Sequence, residues 1–408
     1  MAQAHSFGRP RISREALNLS NENRAFSSAR SRPLPQPTGA PPFHLDLADV
    51  LPAEQIDAIR EAKKLVFHIS GDAGGIRDAV PQQLVANGME RDFRNDPDNP
   101  ADDPAFFYML GDCVYFNGQA SQYFPQFYQP YEHYAAPIFA VPGNHDGDNV
   151  APESSLDAFV RNFCAPVPGT ITPEAGESTR TAMTQPNVFW TLETPLATIV
   201  GLYTNVPEGG EINPDQLNWL IGELRNAPAD RPLFVTMHHP VISADDHHSG
   251  SLAMKRALDN AIDASGRAPD IVFGGHVHNY QRFTTRDGNR IRPYIVAGAA
   301  GYHNLHHVVK VNGQKIVPPV RIGDAVLESY ADSRHGFLRI EVTPDTVQGK
   351  YYTVARPHES WSEPPHLADI WQFDWRRGVM LPNALPNNTV AVDSSIAAVR
   401  EPQFRHHA

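Results

Sequence analysis

Leu65-Val66-Phe67-His68-Ile69-Ser70-Gly71-Asp72-Ala73-Gly74 reads as an apolar strand that stops at a glycine and then presents a carboxylate. The same phrase recurs. Phe106-Phe107-Tyr108-Met109-Leu110 runs into Gly111-Asp112, and Pro137-Ile138-Phe139-Ala140-Val141 into Gly143-Asn144. Leu233-Phe234-Val235-Thr236-Met237 ends at His238, and Ile271-Val272-Phe273 at Gly274-Gly275-His276. Continuous apolar runs of this length suit strands buried on both faces of a sheet, and such sheets collect ligands at the carboxyl ends of their strands. The adjoining glycines allow tight turns and close backbone approach. One Gly-Asp at a strand end is ordinarily a turn; the whole series in one order is far harder to obtain by chance.

Outward from these blocks, Glu54 to Lys64, Ser121 to Tyr134, Asp215 to Arg225 and Leu252 to Ala264 are predicted to supply covering helices. Ala197 to Tyr203, Tyr294 to Val296, Phe337 to Val342 and Gln348 to Thr353 are further strands, enough for a second sheet. The fold class is therefore α/β: a four-layer α-β-β-α sandwich of two mixed sheets flanked by helices. Residues 1–42, rich in Ser, Pro, Arg and Asn, read as an extended or disordered leader, and 43–355 as the body. Residues 356–408 are Pro-rich but carry Trp361, Trp371, Phe373 and Trp375, which predicts an extension wrapped onto the body. Pro166 to Pro186, without periodicity, reads as a surface insertion.

A formal charge of -12 over 408 residues argues against holding nucleic acid by phosphate neutralisation, which needs a basic face. No run approaches the roughly 18 to 20 apolar residues that span a bilayer, and the first twenty residues lack a secretory hydrophobic core. No membrane contact and a cytoplasmic location are the expectation. Oligomeric state is not legible. Cys113 and Cys164 are too few for a disulfide framework and are expected to be reduced.

Two cations sharing a carboxylate need hard oxygen donors for charge, imidazoles for geometry, and a neutral amide where more negative charge is wasteful. Asp112, central in the motif order, is the natural bridge. Asp72 and Tyr115 with one histidine would complete one shell; Asn144 with two histidines would complete the other. His276 and His278 alternate, so on a strand both side chains would point to one face, although Gly274-Gly275 also allows the backbone to turn there and a strand is not required.

The series Gly71-Asp72-Ala73-Gly74, Gly111-Asp112-x-x-Tyr115, Gly143-Asn144-His145-Asp146, Val235-x-x-His238 and Gly275-His276-x-His278 resembles the calcineurin-like metallophosphoesterase superfamily, most closely its purple acid phosphatase branch. Two residues select that branch: Gly74, where most of the superfamily carries a histidine, and Tyr115 after Asp112. The resemblance spans about Leu65 to Thr353. It implies that Asp72, Asp112, Tyr115 and His278 bind Fe(III), and that Asp112, Asn144, His238 and His276 bind a divalent ion: iron, zinc or manganese. It further implies that His145 serves substrate oxygen or the leaving group, that Asp146 orients that imidazole, and that His247, nine residues after His238, is a second substrate histidine. His239 is an alternative outer residue.

The implied activity is hydrolysis of small phosphomonoesters by metal-hydroxide attack on phosphorus, as an acid-phosphatase-like hydrolase. The alternatives are a phosphodiesterase or nuclease with the same two ions, and a metal-binding protein with residual activity. Three further stretches are read more plainly. His303, His306 and His307 could suggest a third metal site but, without a carboxylate or cysteine at ligand spacing, are expected in a solvated loop. Gly298 to Gly301 is expected in a turn near the pocket, and Asn279-Tyr280-Gln281-Arg282 resembles a stretch of plant-type members, which implies Tyr280 as a pocket-lining candidate.

Overall fold

The computed structural model describes residues 34–147, 155–204 and 210–382, together with the short strand Ala398–Val399. One mixed sheet has the strand order β1 (His44–Asp46), β5 (Trp190–Glu193), β6 (Thr198–Leu202), β7 (Leu233–Met237), β8 (Ile271–Gly274), β10 (Arg290–Ala297), β9 (Tyr280–Asp287), β14 (Ala325–Ala331), β13 (Val320–Ile322), β19 (Ala398–Val399). The second has the order β18 (Val379–Leu381), β17 (His366–Asp374), β16 (Thr346–Thr353), β15 (Gly336–Val342), β2 (Leu65–Ser70), β3 (Phe107–Met109), β4 (Ile138–Ala140). A small hairpin, β11 (Lys310–Val311) with β12 (Gln314–Lys315), stands apart. Runs β2-β3-β4 and β6-β7-β8-β10 are parallel, so each set carries its strand ends to one side.

Alternation along the strands explains the four layers. Phe67, Ile69, Tyr108, Phe139 and Ile340 from one sheet meet Trp190, Ile199, Phe234, Phe273 and Ile295 from the other in a single buried layer between them. The intervening residues Phe107, Met109, Ile138 and Ala140 face outward onto Leu84, Val85 and Met89 of the helix Val80–Glu90. On the far side, Val200, Leu202, Val235 and Met237 pack under Leu220 and Leu224 of Pro214–Asn226 and under Met254 and Leu258 of Leu252–Ser265. Period-two strands with both faces buried must be apolar at every position, which is why the runs read as continuous. Each large side chain so buried stabilises by about 1.5–3 kcal/mol before entropy is counted.

Helix ends follow from local sequence. Asn213 accepts from the Gln216 amide at 2.8 Å ahead of Pro214, and Ser251 from that of Met254 at 3.2 Å. Gly266, at φ 71°, closes the second of these helices. The regular α-helix expected over Ser121 to Tyr134 does not form: the short 3-10 turn Ala120–Gln122 leads into a five-residue π-helix, Phe124–Tyr128, and Pro130, which lacks an amide donor, follows its end.

Pro166 to Pro186 is not purely superficial, since buried Gln185 accepts from the Ala140 amide at 2.7 Å and donates to its carbonyl at 2.9 Å, capping the edge strand β4. Of residues 356–408, His366–Asp374 pairs with β16, and Trp371, Phe373 and Trp375 enter the layer between the sheets. Residues 1–33, and 383–408 apart from β19, lie outside the described residues; at 34–42 the Gly39 amide donates to the Pro186 carbonyl at 2.9 Å. No helix among the described residues is long and apolar enough to cross a membrane. Cys113 and Cys164 are both buried and free.

Candidate metal centre

The carboxyl ends of β2, β3 and β4 in one sheet and of β7 and β8 in the other converge. Asp72 follows β2, Asp112 follows β3, Asn144 opens a short turn after β4, His238 follows β7 directly, and His276 and His278 follow β8. Asp72, Asp112 and His276 take φ values of 61°, 50° and 65°, a left-handed backbone that costs non-glycine residues of order 1–3 kcal/mol and collects at functional sites. Hydrogen bonds between neighbouring turns hold it: the Asp72 amide donates to the Gly111 carbonyl at 3.0 Å, and that of Ala73 to the Asp112 carbonyl at 3.2 Å. A Cβ on Gly143 would stand 2.1 Å from Asp112 Oδ1, so that glycine is required by close approach.

Two triangles of donor atoms result. In the first, Tyr115 Oη lies 3.3 Å from Asp72 Oδ1 and 3.4 Å from His278 Nε2, and the last two are 3.5 Å apart. In the second, Asn144 Oδ1 lies 3.0 Å from His238 Nε2 and 3.1 Å from His276 Nδ1, with 3.3 Å between the two nitrogens. Asp112 stands between them, its Oδ2 3.3 Å from His238 Nε2. Donors about 2.1 Å from one cation are separated by about 3.0 Å at octahedral and 3.4 Å at tetrahedral angles. Both triangles match such polyhedron faces.

The imidazoles are aimed by their far nitrogens. His238 Nδ1 donates to the Leu110 carbonyl at 2.8 Å and His278 Nδ1 to that of Asn304 at 2.7 Å, which leaves each neutral ring with a lone pair on Nε2. The unused carboxylate oxygens are also occupied: Asp72 Oδ2 accepts from the His276 amide at 2.8 Å, Asp112 Oδ1 from the His145 amide at 2.9 Å.

Electrostatically the cluster is short of a cation. Burial pushes the Asp72 carboxyl up to about 7; His238 opposes this and the charge of Asp112 adds to it. Burial would raise Asp112 too, but His238 and His145 hold it below the usual carboxylate range. Burial lowers His238, yet Asp112 and Asp72 outweigh it and carry the ring up to about 9. His276 is driven well below its ordinary value by burial and the neighbouring histidines, and His278 down to about 3 by burial and His248. Two buried carboxylates with only imidazole for counter-charge, and two rings already held neutral, suit cations that need deprotonated ligands.

Gly74 makes room for Tyr115. A Cβ at 74 would lie 2.4 Å from Gln126 Oε1 and 2.7 Å from Tyr115 Cδ2. Gln126 in turn grips the tyrosine backbone, accepting from its amide at 2.9 Å and donating to its carbonyl at 2.6 Å, while Tyr302 stacks on the ring at 3.9 Å. A histidine at 74 and this tyrosine exclude each other sterically.

Around the triangles, the expected surroundings are partly redrawn. His145 stands at the rim with 16% of its side chain exposed, its Nε2 3.9 Å from Asp112 Oδ2. Its Nδ1 donates to the Phe116 carbonyl at 2.7 Å, so the backbone and not Asp146 orients the ring. The Asp146 carboxylate accepts instead from the amides of Gly143 (2.9 Å), Cys113 (3.1 Å) and Val114 (3.0 Å), tying the β3 and β4 loops together.

His247 is exposed, its ring 4.5 Å from that of His248 and 4.8 Å from that of His306, and has no ring contact with His276; His248 is the residue whose ring packs 4.3 Å from that of His276. His306 is buried and stacks on His278 at 4.2 Å, which overturns its reading as solvated loop. His239 is buried beside His276, ring to ring at 4.4 Å, with Nδ1 2.8 Å from Thr204 Oγ1. Tyr280 is no pocket residue: it stacks on Tyr351 at 4.0 Å and donates to Asp369 at 2.8 Å. A Cβ on Gly298 would lie 2.7 Å from Asp72 Oδ2, so that turn does adjoin the centre. Sequence reasoning missed His248 and set His306 aside; adjacency to His247 was the signal for the former, and the cluster with His303 and His307 was the signal for the latter.

The chain belongs to the calcineurin-like phosphoesterase family, whose sequence profile matches residues 67–280, more than half of its length. That family is metal-dependent. The chain is 34% identical over 98 residues to purple acid phosphatase 21 of Arabidopsis thaliana, covering 22% of each protein, and 26% identical over 171 residues to purple acid phosphatase 22, covering 40% of this chain and 33% of the relative. It thus spans a third or less of those relatives. A purple acid phosphatase from yellow lupin (Lupinus luteus) seeds shares the fold with a TM-score of 0.52 at 14% identity, over 81% of this chain and 57% of the other.

Proposed function

We propose that this chain is a binuclear-metal phosphatase of the purple acid phosphatase kind, hydrolysing small phosphomonoesters. The observation that carries the reading is the pair of donor triangles with Asp112 between them. Asp72, Tyr115, His278 and Asp112 would hold Fe(III), since a hard phenolate oxygen favours a strongly polarising ion; Asn144, His238, His276 and Asp112 would hold the divalent iron, zinc or manganese. When bound, the ions polarise the ester and supply the nucleophile near neutral pH.

The remaining chemistry falls to this chain's own groups. His145 has its Nδ1 proton committed to the Phe116 carbonyl, so only the imidazolium form can donate from Nε2 to a departing oxygen. Proton donation of this kind is typically worth about 10² to 10⁴ in rate. His248, rather than His247, stands where it can bind a substrate oxygen beside His276. Tyr302 and Phe116 wall the Tyr115 side and limit water there.

The test is metal analysis together with turnover of an aryl phosphate monoester and its bis-ester by the metal-loaded protein. Two bound ions per chain and faster monoester turnover are expected. At most one ion, or no turnover of either ester, would overturn the reading; faster bis-ester turnover would move it to a phosphodiesterase.

A further inference from the structure

Behind the histidine loop runs a directed relay of hydrogen bonds that the proposed chemistry does not itself use. The Ala244 amide donates to Gln281 Oε1 at 2.7 Å, Gln281 Nε2 donates to Asn279 Oδ1 at 2.9 Å, and Asn279 Nδ2 donates to Asp245 Oδ1 at 2.9 Å. Asp245 Oδ2 then accepts from the amides of His247 at 3.1 Å and His248 at 2.9 Å, and lies 3.3 Å from His306 Nδ1. Asp245 is 1% exposed. The relay links β9, the loop bearing His248 and the ring stacked on His278.

Both ends of the relay are backbone donors that cannot be reversed. Two amides between fixed donors leave one mismatch however they are flipped; a single carboxylate, which only accepts, removes it. We propose that Asp245 is a positioning residue that sets His248 against the metal centre, and with it the grip on the phosphate group of the substrate. This inference rests on the proposed phosphatase reading.

Asp245→Asn restores the mismatch, because its amide nitrogen must face either the Asn279 amide or the loop donors. The exchange Asp245→Asn with Asn279→Asp repairs it: the amide introduced at position 245 would accept from the loop and donate to the carboxylate introduced at position 279, which still accepts from Gln281. At position 279 the 3.2 Å donation to the His306 carbonyl is replaced by a carboxylate oxygen facing that carbonyl, so the repair is partial.

The experiment uses metal-loaded wild type, the single variant and the exchange, measuring metal content, kcat and KM for an aryl monoester, and the Kd for inorganic phosphate without turnover. Asp245→Asn is expected to keep both metals and change kcat by less than about threefold while raising KM and the phosphate Kd roughly 10-fold or more, the cost of one buried unmatched donor. The exchange is expected to recover at least about threefold of the loss in both. An unchanged KM and Kd in the single variant, or an exchange variant no better than the single, would overturn the proposal. A wild type that turns over no ester sinks the phosphatase reading instead, and the phosphate Kd values still decide the role of Asp245.

Discussion

Replacing Gly74 with alanine probes how the fold makes room for its tyrosine. The added methyl would sit 2.4 Å from Gln126 Oε1, 2.7 Å from Tyr115 Cδ2 and 3.1 Å from the Tyr115 amide nitrogen, where ordinary contact begins near 3.4 Å. Neither neighbour can yield freely. Gln126 is buried and held by both backbone groups of Tyr115, and the tyrosine ring is packed against Tyr302 on its other face. Overpacking of this kind costs about 1–3 kcal/mol, and breaking one buried hydrogen bond about 1–3 kcal/mol more. Gly74 does not have a positive φ, so the lost chain entropy of glycine returns only about 0.4–1 kcal/mol.

The net is roughly 2–5 kcal/mol of destabilisation, which at about 2–4 °C per kcal/mol lowers Tm by roughly 4–20 °C. The same movement displaces the Tyr115 oxygen from Asp72 and His278, so the visible absorption of an Fe(III)-phenolate should weaken or shift. Gly222→Ala is the control: it lies inside the helix Pro214–Asn226 with nothing within 4 Å of the new methyl, and should hold or raise Tm. Calorimetry and a visible spectrum of metal-loaded protein decide the matter. If Gly74→Ala melts within about 1 °C of wild type and keeps its band, the steric account of Tyr115 is wrong.

Tyr115→Phe should abolish the visible band while leaving the protein folded, as read by spectrum and circular dichroism; a band that persists assigns the colour elsewhere. Asn144→Ala or His238→Ala should cut phosphatase turnover by roughly 10²-fold or more with little change in far-ultraviolet circular dichroism, each removing a group that faces the divalent position. For pH, His335 is held down to about 4 by burial, against 6.5 when unfolded. Between those values the unfolded chain binds more protons, so stability rises with pH there and is lost as pH falls from 6.5 to 4, by up to roughly 3 kcal/mol. Denaturant titrations should find that limb flatter in His335→Gln, and an equally steep limb refutes the assignment.

What the sequence revealed and what it hid have one cause. Asp72, Asp112, Asn144, His238 and His276 each follow a strand buried on both faces, so an unbroken apolar run announces the strand and, except at His238, a glycine beside the residue announces the turn. Order along the chain then suffices to find Asp72, Asp112, Asn144, His238 and His276, all of which lie just past strand ends. The surrounding groups hang on loops whose shape is decided by hydrogen bonds between distant segments. The loop bearing His247 and His248 is tied through Asp245 to Asn279 and Gln281, far along the chain, and buried His306 stacks on His278.

The same distinction explains Asp146. Its place beside His145 suggested a partner for that ring, but the short turn it occupies points its oxygens back at the amides of Gly143, Cys113 and Val114. Those three bonds hold the loops bearing Asp112 and Asn144 at a fixed separation, and Phe116, on the chain beyond Tyr115, supplies the carbonyl for His145. Substituting Asp146 should therefore disturb the spacing of both triangles and lower metal content, whereas a change confined to His145 should leave the metals in place and alter turnover alone. Equal metal loss in His145→Ala and Asp146→Asn would contradict this division of labour between the two neighbours.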